Sequence, residues 1–155
     1  IIESLGVVRA LKGKLIDPTN MFWDYFLLGQ KPLNSPSVFN FYSPMTRLPG
    51  DQKHYGPEFQ IYAPSLAVQR ANFLYSLLAG DYNSMVTIDL APYINVASDA
   101  NALINMVSTN LLQGRMSSQA RAAIFEGLTA ITDKRQRAIT ALYLTAISAE
   151  FAVHQ

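Results

Sequence analysis

The hydrophobic positions in the last third of the chain recur every three or four residues in three successive runs. Residues at that spacing share one face of a helix, so the pattern predicts three amphipathic helices. Ser98 or Asp99 is suited to cap the first helix, and Ser117 is suited to cap the second. The third helix begins after Thr132 or Asp133. The residues predicted to face inward are Leu103, Met106, Val107, Leu111, Ala120, Ile124, Leu128, Ile131, Ile139, Leu142, Tyr143, Ala146 and Ile147.

The first two thirds of the chain predict three further helices. Ile1–Leu11 carries apolar residues at three-residue steps, and Gly13 suits a left-handed cap at its end. Met21–Gln30 is short and heavily apolar, whereas Pro64–Gly80 has a longer apolar face. Between these helices and the last three, Met85–Ile94 alternates imperfectly between apolar and polar residues. We expect a short strand or an extended segment there.

A long segment rich in proline and aromatic residues lies between the second and third predicted helices. This aromatic strap (residues 36–62) has the sequence PSVFNFYSPMTRLPGDQKHYGPEFQIY. Its prolines interrupt any long helix, and long loops in compact domains are either functional or packed by their own side chains. Because buried rings remove a large apolar area from water, we expect the strap to pack its rings inward. The rings concerned are Phe39, Phe41, Tyr42, Tyr55 and Phe59. Exposed rings would instead indicate a cleft that stacks on a ligand.

The predicted fold class is therefore mainly α. About six helices form an irregular bundle, and the long aromatic and proline-rich loop packs across it. We expect residues 1–155 to form a single helical domain, with the strap tip at residues 47–56 as its exposed part.

Composition and charge narrow the classes of function. Half of the 155 residues are hydrophobic, 15% are charged, and the net charge is +1. The charged share lies below the ~25% of a typical globular domain, which predicts an apolar face that another polypeptide covers, on Ile1–Leu11 or Met21–Leu28. The balanced charge argues against nucleic-acid binding, which needs a concentrated basic surface. No apolar run in the sequence is long enough for a transmembrane segment.

Residues that carry chemistry are sparse. The chain has no cysteine, and its two histidines, His54 and His154, lie a hundred residues apart. This pattern predicts neither a metal site nor a cofactor. A Gly-x-Ser-x-Gly nucleophile motif and a glycine-rich phosphate loop are both missing, so we assign no catalytic residue. For this chain by itself we favour a protein that is not an enzyme.

One local group of polar residues remains as a candidate binding site. Arg47, Asp51, His54 and Glu58 lie among the aromatic residues of the strap. A cleft there would place a carboxylate and an imidazole beside a ligand. The alternative, which we favour, is that these side chains are solvated or satisfy the backbone hydrogen bonds of the loop.

Four stretches, in the same order along the chain, resemble the C-terminal part of the bacterial domain of unknown function 1800 family. They are PSVFNFYSP, GPEFQIY, LLQGRMSSQARAAI and RAITALYLTAISAEFAVHQ. The chain departs from the family in two places. The insertion before Pro-Glu-Phe is compressed to GDQKHYG, and YAPS replaces a segment that is often polar and acidic.

The resemblance implies a large, mostly helical, exported protein, of which this chain is a C-terminal fragment. We therefore expect an extracytoplasmic location: periplasmic, cell-surface or secreted. The expected function is that of a structural or interaction module, and its partner is the rest of its own polypeptide or another protein subunit. The alternative is part of a hydrolase-like or carbohydrate-active enzyme, whose catalytic residues lie in the N-terminal region.

Overall fold

The computed structural model describes residues 4–17, 29, 34–61, 63–82 and 85–152. Within these residues the chain forms seven α-helices, a 3-10 helix and four short strands, so the prediction of a mainly α fold is confirmed. Met21–Leu28, where the sequence predicts a further helix, lies outside the described residues. The helices are α1 (Ser4–Ala10), α2 (Pro64–Ala79), α3 (Ala91–Val96), α4 (Ala100–Leu112), α5 (Ser118–Leu128), α6 (Lys134–Ala146) and α7 (Ala149–Ala152).

Helix α6 is the centre of the bundle, because it packs against α2, α3, α4 and α5. Ala138, Ala141 and Ala146 on its buried face are small, and Ile139 and Leu142 fill the space between the neighbouring helices. The inward faces predicted for α4, α5 and α6 are confirmed. Their buried members are Leu103, Val107, Leu111, Ile124, Leu128, Ile139, Leu142 and Ala146, and their half-buried members are Met106, Ala120, Ile131, Tyr143 and Ile147.

Side-chain caps fix where the last three long helices begin. Asp99, Ser117 and Asp133 each accept hydrogen bonds from backbone N–H groups in the first turn of the helix that follows. These N–H groups have no partner within the helix, so each cap satisfies donors that would otherwise need water. The structure thus selects Asp99 over Ser98 and Asp133 over Thr132.

The basic residues at the start of α6 bind the ends of other helices. Lys134, Arg135 and Arg137 follow the Asp133 cap, and two of the three have defined partners. Arg135 Nη2 donates to the carbonyl oxygen of Ala79 at 3.0 Å, at the end of α2. Arg137 Nη1 donates to the carbonyl oxygen of Ile131 at 3.1 Å, just beyond α5. Cations are favourable at helix C-termini, so both arginines tie the bundle together.

The chain turns sharply after α1. Lys12 takes the left-handed conformation at φ 53°, so the prediction of a left-handed Gly13 is wrong. Gly13 is suited to its place because an added Cβ would lie 2.7 Å from Val8 Cγ1. Val7, Val8 and Leu11 are buried in the core. The described part of α1 therefore lacks the exposed apolar face that the low charge predicts.

Two short antiparallel pairs accompany the helices. Strand β1 (Lys14–Leu15) pairs with β4 (Val86–Thr87), which ties the end of α1 to the segment before α3. The extended segment predicted there is thus a two-residue strand, and α3 follows it. Strands β2 (Arg47–Leu48) and β3 (Asp51–Tyr55) pair within the strap. In the described part of the chain, none of the helices has both the length and the hydropathy needed to cross a lipid bilayer.

Candidate functional site

The aromatic strap lies on the outside of the bundle. Phe39 is 58% exposed, Tyr55 and Phe59 are also exposed, and Phe41 and Tyr42 are half-buried. Of the strap residues that the structure describes, none contributes a side chain to the core. The prediction that the rings pack inward is therefore wrong for Phe39, Tyr55 and Phe59, whereas Phe41 and Tyr42 are covered in part without joining the core.

Hydrogen bonds within the strap explain how it keeps its shape outside the helical core. The Asn40 N–H donates to the Ser37 carbonyl, and the Thr46 N–H donates to the Ser43 carbonyl, each at 3.1 Å. Further along, the Gly56 N–H donates to the Thr46 carbonyl at 2.9 Å. Because the strap satisfies these backbone groups within itself, it forms a series of turns and one hairpin. The helices meanwhile fill the core with their own apolar side chains, most of which are aliphatic.

Three of the four predicted site residues lie on the hairpin formed by β2 and β3. The guanidinium carbon of Arg47 lies 3.8 Å from the centre of the Tyr55 ring, which is a cation–π contact. Arg47 Nη1 also donates to the carbonyl oxygen of Lys53 at 3.2 Å. Arg47 is thus held by its own hairpin. Glu58 lies in the 3-10 helix that follows (Pro57–Ile61), and its side chain is outside the description.

Asp51 and His54 contact each other at the surface of the same hairpin. Asp51 Oδ2 lies 2.5 Å from His54 Nδ1, and Asp51 Oδ1 accepts from the Lys53 N–H at 2.8 Å. The bond to His54, and then the bond to Lys53, lower the pKa of the Asp51 carboxyl. The His54 side chain is 72% exposed, so the pair is solvated and does not lie in a cleft. The structure brings Arg47, Asp51 and His54 to one hairpin, where they stabilise its turn.

A groove of about 650 Å³ lies in the strap, and it fits the alternative of a ligand-stacking cleft that the sequence left open. This aromatic groove is lined by the turns of residues 36–45 and by Gln60 from the 3-10 helix. Its rings are Phe39, Phe41 and Tyr42, and Met45 and Asn40 also line it. None of its described lining residues is charged.

The side-chain amide of Gln60 is fixed in orientation. Its Oε1 accepts from the Ser43 N–H at 2.6 Å and from Thr46 Oγ1 at 3.0 Å. Two donors on one oxygen identify that atom as the acceptor and leave the Nε2 hydrogens without a described partner. Sequence reasoning missed Gln60, because a lone glutamine between aromatic residues gives no periodic or motif signal.

A second polar contact joins the start of α5 to α7. Glu150 Oε2 accepts from the Ser117 N–H at 3.1 Å, and Glu150 Oε1 accepts from the Ser117 hydroxyl. We call this pair the Ser117–Glu150 clasp. It borders a cavity of about 630 Å³ that Arg9 and Arg115 also line. The clasp joins two of the stretches quoted above, LLQGRMSSQARAAI and RAITALYLTAISAEFAVHQ. Ser117 lies in the first and Glu150 in the second, 33 residues apart.

The described part of the chain holds no set of side chains that could bind a metal ion. Among those residues, no three histidine, cysteine, aspartate or glutamate side chains come close enough together to hold an ion. Among the side chains that the structure describes, Asp51 and His54 form a pair to which no third such group comes close enough to complete a metal site.

Comparison with known proteins gives a family but no activity. The family described as a protein of unknown function, DUF1800, matches residues 4–153. Searches of the curated proteins and of the solved structures found no match. The family match covers nearly the whole chain and includes the strap, the groove and the clasp. The chain therefore belongs to the DUF1800 family.

Proposed function

We propose that this chain is a structural and interaction module of an exported bacterial protein, in which the helical bundle carries the strap as a binding surface. The observation that carries the proposal is the exposure of large apolar side chains on the strap. Val38 is 94% exposed, Met45 is 67% exposed, and Phe39 and Tyr55 lie on the same segment.

That exposure has a cost in free energy. Each exposed apolar side chain gives up burial worth about 25 cal/mol for every Å² that a contact would remove from water. Single exposed apolar residues are ordinary, but several on one segment are typical of a surface that contacts something else. Turns and a hairpin hold the strap in place, so the surface is formed before a ligand arrives.

We further propose a cellular location for the protein and a place for this chain within a longer polypeptide. The family resemblance supports an extracytoplasmic location, with residues 1–155 as one helical domain in the C-terminal part of a larger protein. We expect the protein to fractionate with the periplasm, the cell surface or the medium, separate from a cytoplasmic marker enzyme. Recovery with that cytoplasmic marker would contradict this part of the proposal.

The strap surface is tested by methionine oxidation with hydrogen peroxide. Met45 is exposed, whereas Met116 is only 9% exposed and serves as an internal control. In the purified protein we expect Met45 to oxidise much faster than Met116, because peroxide reaches exposed sulfur first. In intact cells we expect Met45 to be protected severalfold, since a ligand covers the strap. Equal Met45 oxidation in cells and in the purified protein would overturn the proposal.

An enzymatic role is the second candidate, and one observation favours it. The strap rings are not buried in the core, so the groove is open to a substrate. Its described lining, however, offers no carboxylate or imidazole for acid–base catalysis. The catalytic groups would have to come from elsewhere in a longer polypeptide. Hydrolysis of an oligosaccharide by the intact protein, but not by residues 1–155 alone, would support this candidate.

A further inference from the structure

We infer that the aromatic groove binds a neutral carbohydrate chain, an inference that rests on the binding role proposed for the strap. Electrostatics limits the ligands that the groove can bind. The described lining of the groove combines aromatic, proline, serine and amide side chains, without a charged group. An anionic or cationic ligand would lose its hydration there and gain no opposite charge in return. The groove is thus suited to a neutral ligand.

The aromatic surface of the groove matches the shape of a sugar ring. A sugar ring presents an apolar face of C–H groups and an edge of hydroxyl groups. Phe39, Phe41 and Tyr42 supply flat apolar surface against which such a face can stack. The Phe39 N–H donates to Ser37 Oγ at 3.1 Å, which fixes the turn that carries the most exposed ring. The volume also falls within the range of ~300–1,000 Å³ that is usual for ligand sites.

Two side-chain amides, those of Asn40 and Gln60, line the groove. Sugar hydroxyls both donate and accept hydrogen bonds, and an amide offers both functions in one plane. The Oε1 atom of Gln60 is already bound by Ser43 and Thr46, so Nε2 is the group left to donate. Asn40 adds a second amide from a left-handed position at φ 68°.

The same features disfavour an extended peptide as the occupant. Peptides that add to a sheet edge need a strand with free backbone groups. The described lining comes from turns and the 3-10 helix, and strands β2 and β3 contribute no residue to it. A proline-rich peptide, which needs only aromatic surface and a donor, is therefore the competing ligand that the experiment must include.

Titration calorimetry with defined probes tests the inference. Cellohexaose, chitohexaose and xylohexaose serve as neutral oligosaccharides, with hexagalacturonate as the charged comparison and decaproline as the peptide. We expect at least one neutral probe to bind, and both comparisons to bind at least tenfold more weakly. Absence of binding by all three neutral probes, or tighter binding of hexagalacturonate or decaproline, overturns the inference.

The decisive variant is Gln60→Glu. It keeps an oxygen that accepts from Ser43 and Thr46, but it removes the Nε2 donor. We expect the affinity for the neutral probe to fall at least tenfold. Phe39→Ser, which removes an exposed ring, should weaken binding by a similar factor. It is the second test variant, used if Gln60→Glu disturbs the turn. Val68→Ser is the control, because Val68 is exposed on α2 and lies outside both the strap and the groove. Unchanged affinity in both groove variants contradicts the inference.

The two proposals fail in different ways. Protection of Met45 in cells without oligosaccharide binding by the purified protein removes the carbohydrate inference and leaves the binding role of the strap. Equal oxidation of Met45 in cells and in the purified protein removes the binding role itself.

Discussion

Asp51 and His54 are the two predicted site residues whose contact the structure defines most closely. Asp51 accepts from His54 and from the Lys53 N–H, and these bonds lower the pKa of its carboxyl below the ordinary 3.8. A group whose pKa is lowered by folding stabilises the folded form above its ordinary pKa. That contribution is lost as the pH falls through the lowered value. The pair therefore supports the order of the hairpin at neutral pH and not in strong acid.

Replacement of His54 tests this cause directly. In His54→Ala we expect the pKa of the Asp51 carboxyl to rise toward its ordinary value, because the bond from His54 is the largest cause of the shift. Carbon-13 NMR titration of the carboxyl measures the change. Lys53→Ala is the matched control, since only its backbone N–H bonds to Asp51. An Asp51 pKa that stays lowered in His54→Ala would refute the assignment.

The helix caps give a second test at the residue scale. Asp99→Ala and Asp133→Ala each remove a carboxylate that accepts from the first turn of a helix. We expect each to lower the free energy of unfolding by about 1 kcal/mol. Ser98→Ala and Thr132→Ala are matched controls from the adjacent positions, and should change it by less than about 0.5 kcal/mol. Urea denaturation checks the ranking, and equal effects at adjacent positions would contradict the assigned caps.

At the scale of elements, the Ser117–Glu150 clasp holds α7 against the start of α5. The carboxylate of Glu150 accepts from both the hydroxyl and the backbone N–H of Ser117. Bonds to a charged acceptor near a helix N-terminus are stronger than neutral ones, because the helix dipole favours a negative charge there. A helix as short as α7 has little stability of its own, so we expect the clasp to place it.

A double-mutant cycle measures the clasp. We expect Glu150→Gln to lower the free energy of unfolding by about 1 kcal/mol, because the amide keeps one acceptor oxygen but loses the charge and the second acceptor. Ser117→Ala in the Glu150→Gln background should cost less than in the wild type, with a coupling energy of about 0.5–3 kcal/mol. Ser118→Ala, at the next position in an exposed site, is the control. Additive effects of Ser117→Ala and Glu150→Gln would show that the two side chains act independently.

The elements also show which parts of the fold the sequence predicts. Helices α4, α5 and α6 are predictable because each carries a cap, an apolar stripe and a clear end within one short stretch. The position of the strap is not predictable from the sequence, because a composition rich in aromatic residues is compatible with both burial and exposure. The hydrogen bonds between its turns decide between the two. Gln60 and Glu150 act through partners 17 and 33 residues away, Ser43 and Ser117. No local pattern predicts such contacts.

At the scale of the whole molecule, the core and the strap are expected to contribute separately to stability. Leu142 is fully buried in α6, at the centre of the bundle. Leu142→Ala should therefore lower the free energy of unfolding by about 2–5 kcal/mol, through lost apolar contacts and the cavity left behind. Phe39→Ser and Met45→Ser should change it by less than about 0.5 kcal/mol, because both side chains are exposed.

Thermal and urea unfolding of the three variants, followed by circular dichroism of the helices, compares these effects. Phe125→Ala is a further control, because it removes an exposed ring from the bundle itself. Loss of several kcal/mol in Phe39→Ser would mean that the ring packs as the sequence first predicts, and the strap would then be part of the core. Near-wild-type stability in Phe39→Ser and Met45→Ser leaves the strap free to contact a ligand without weakening the bundle that carries it.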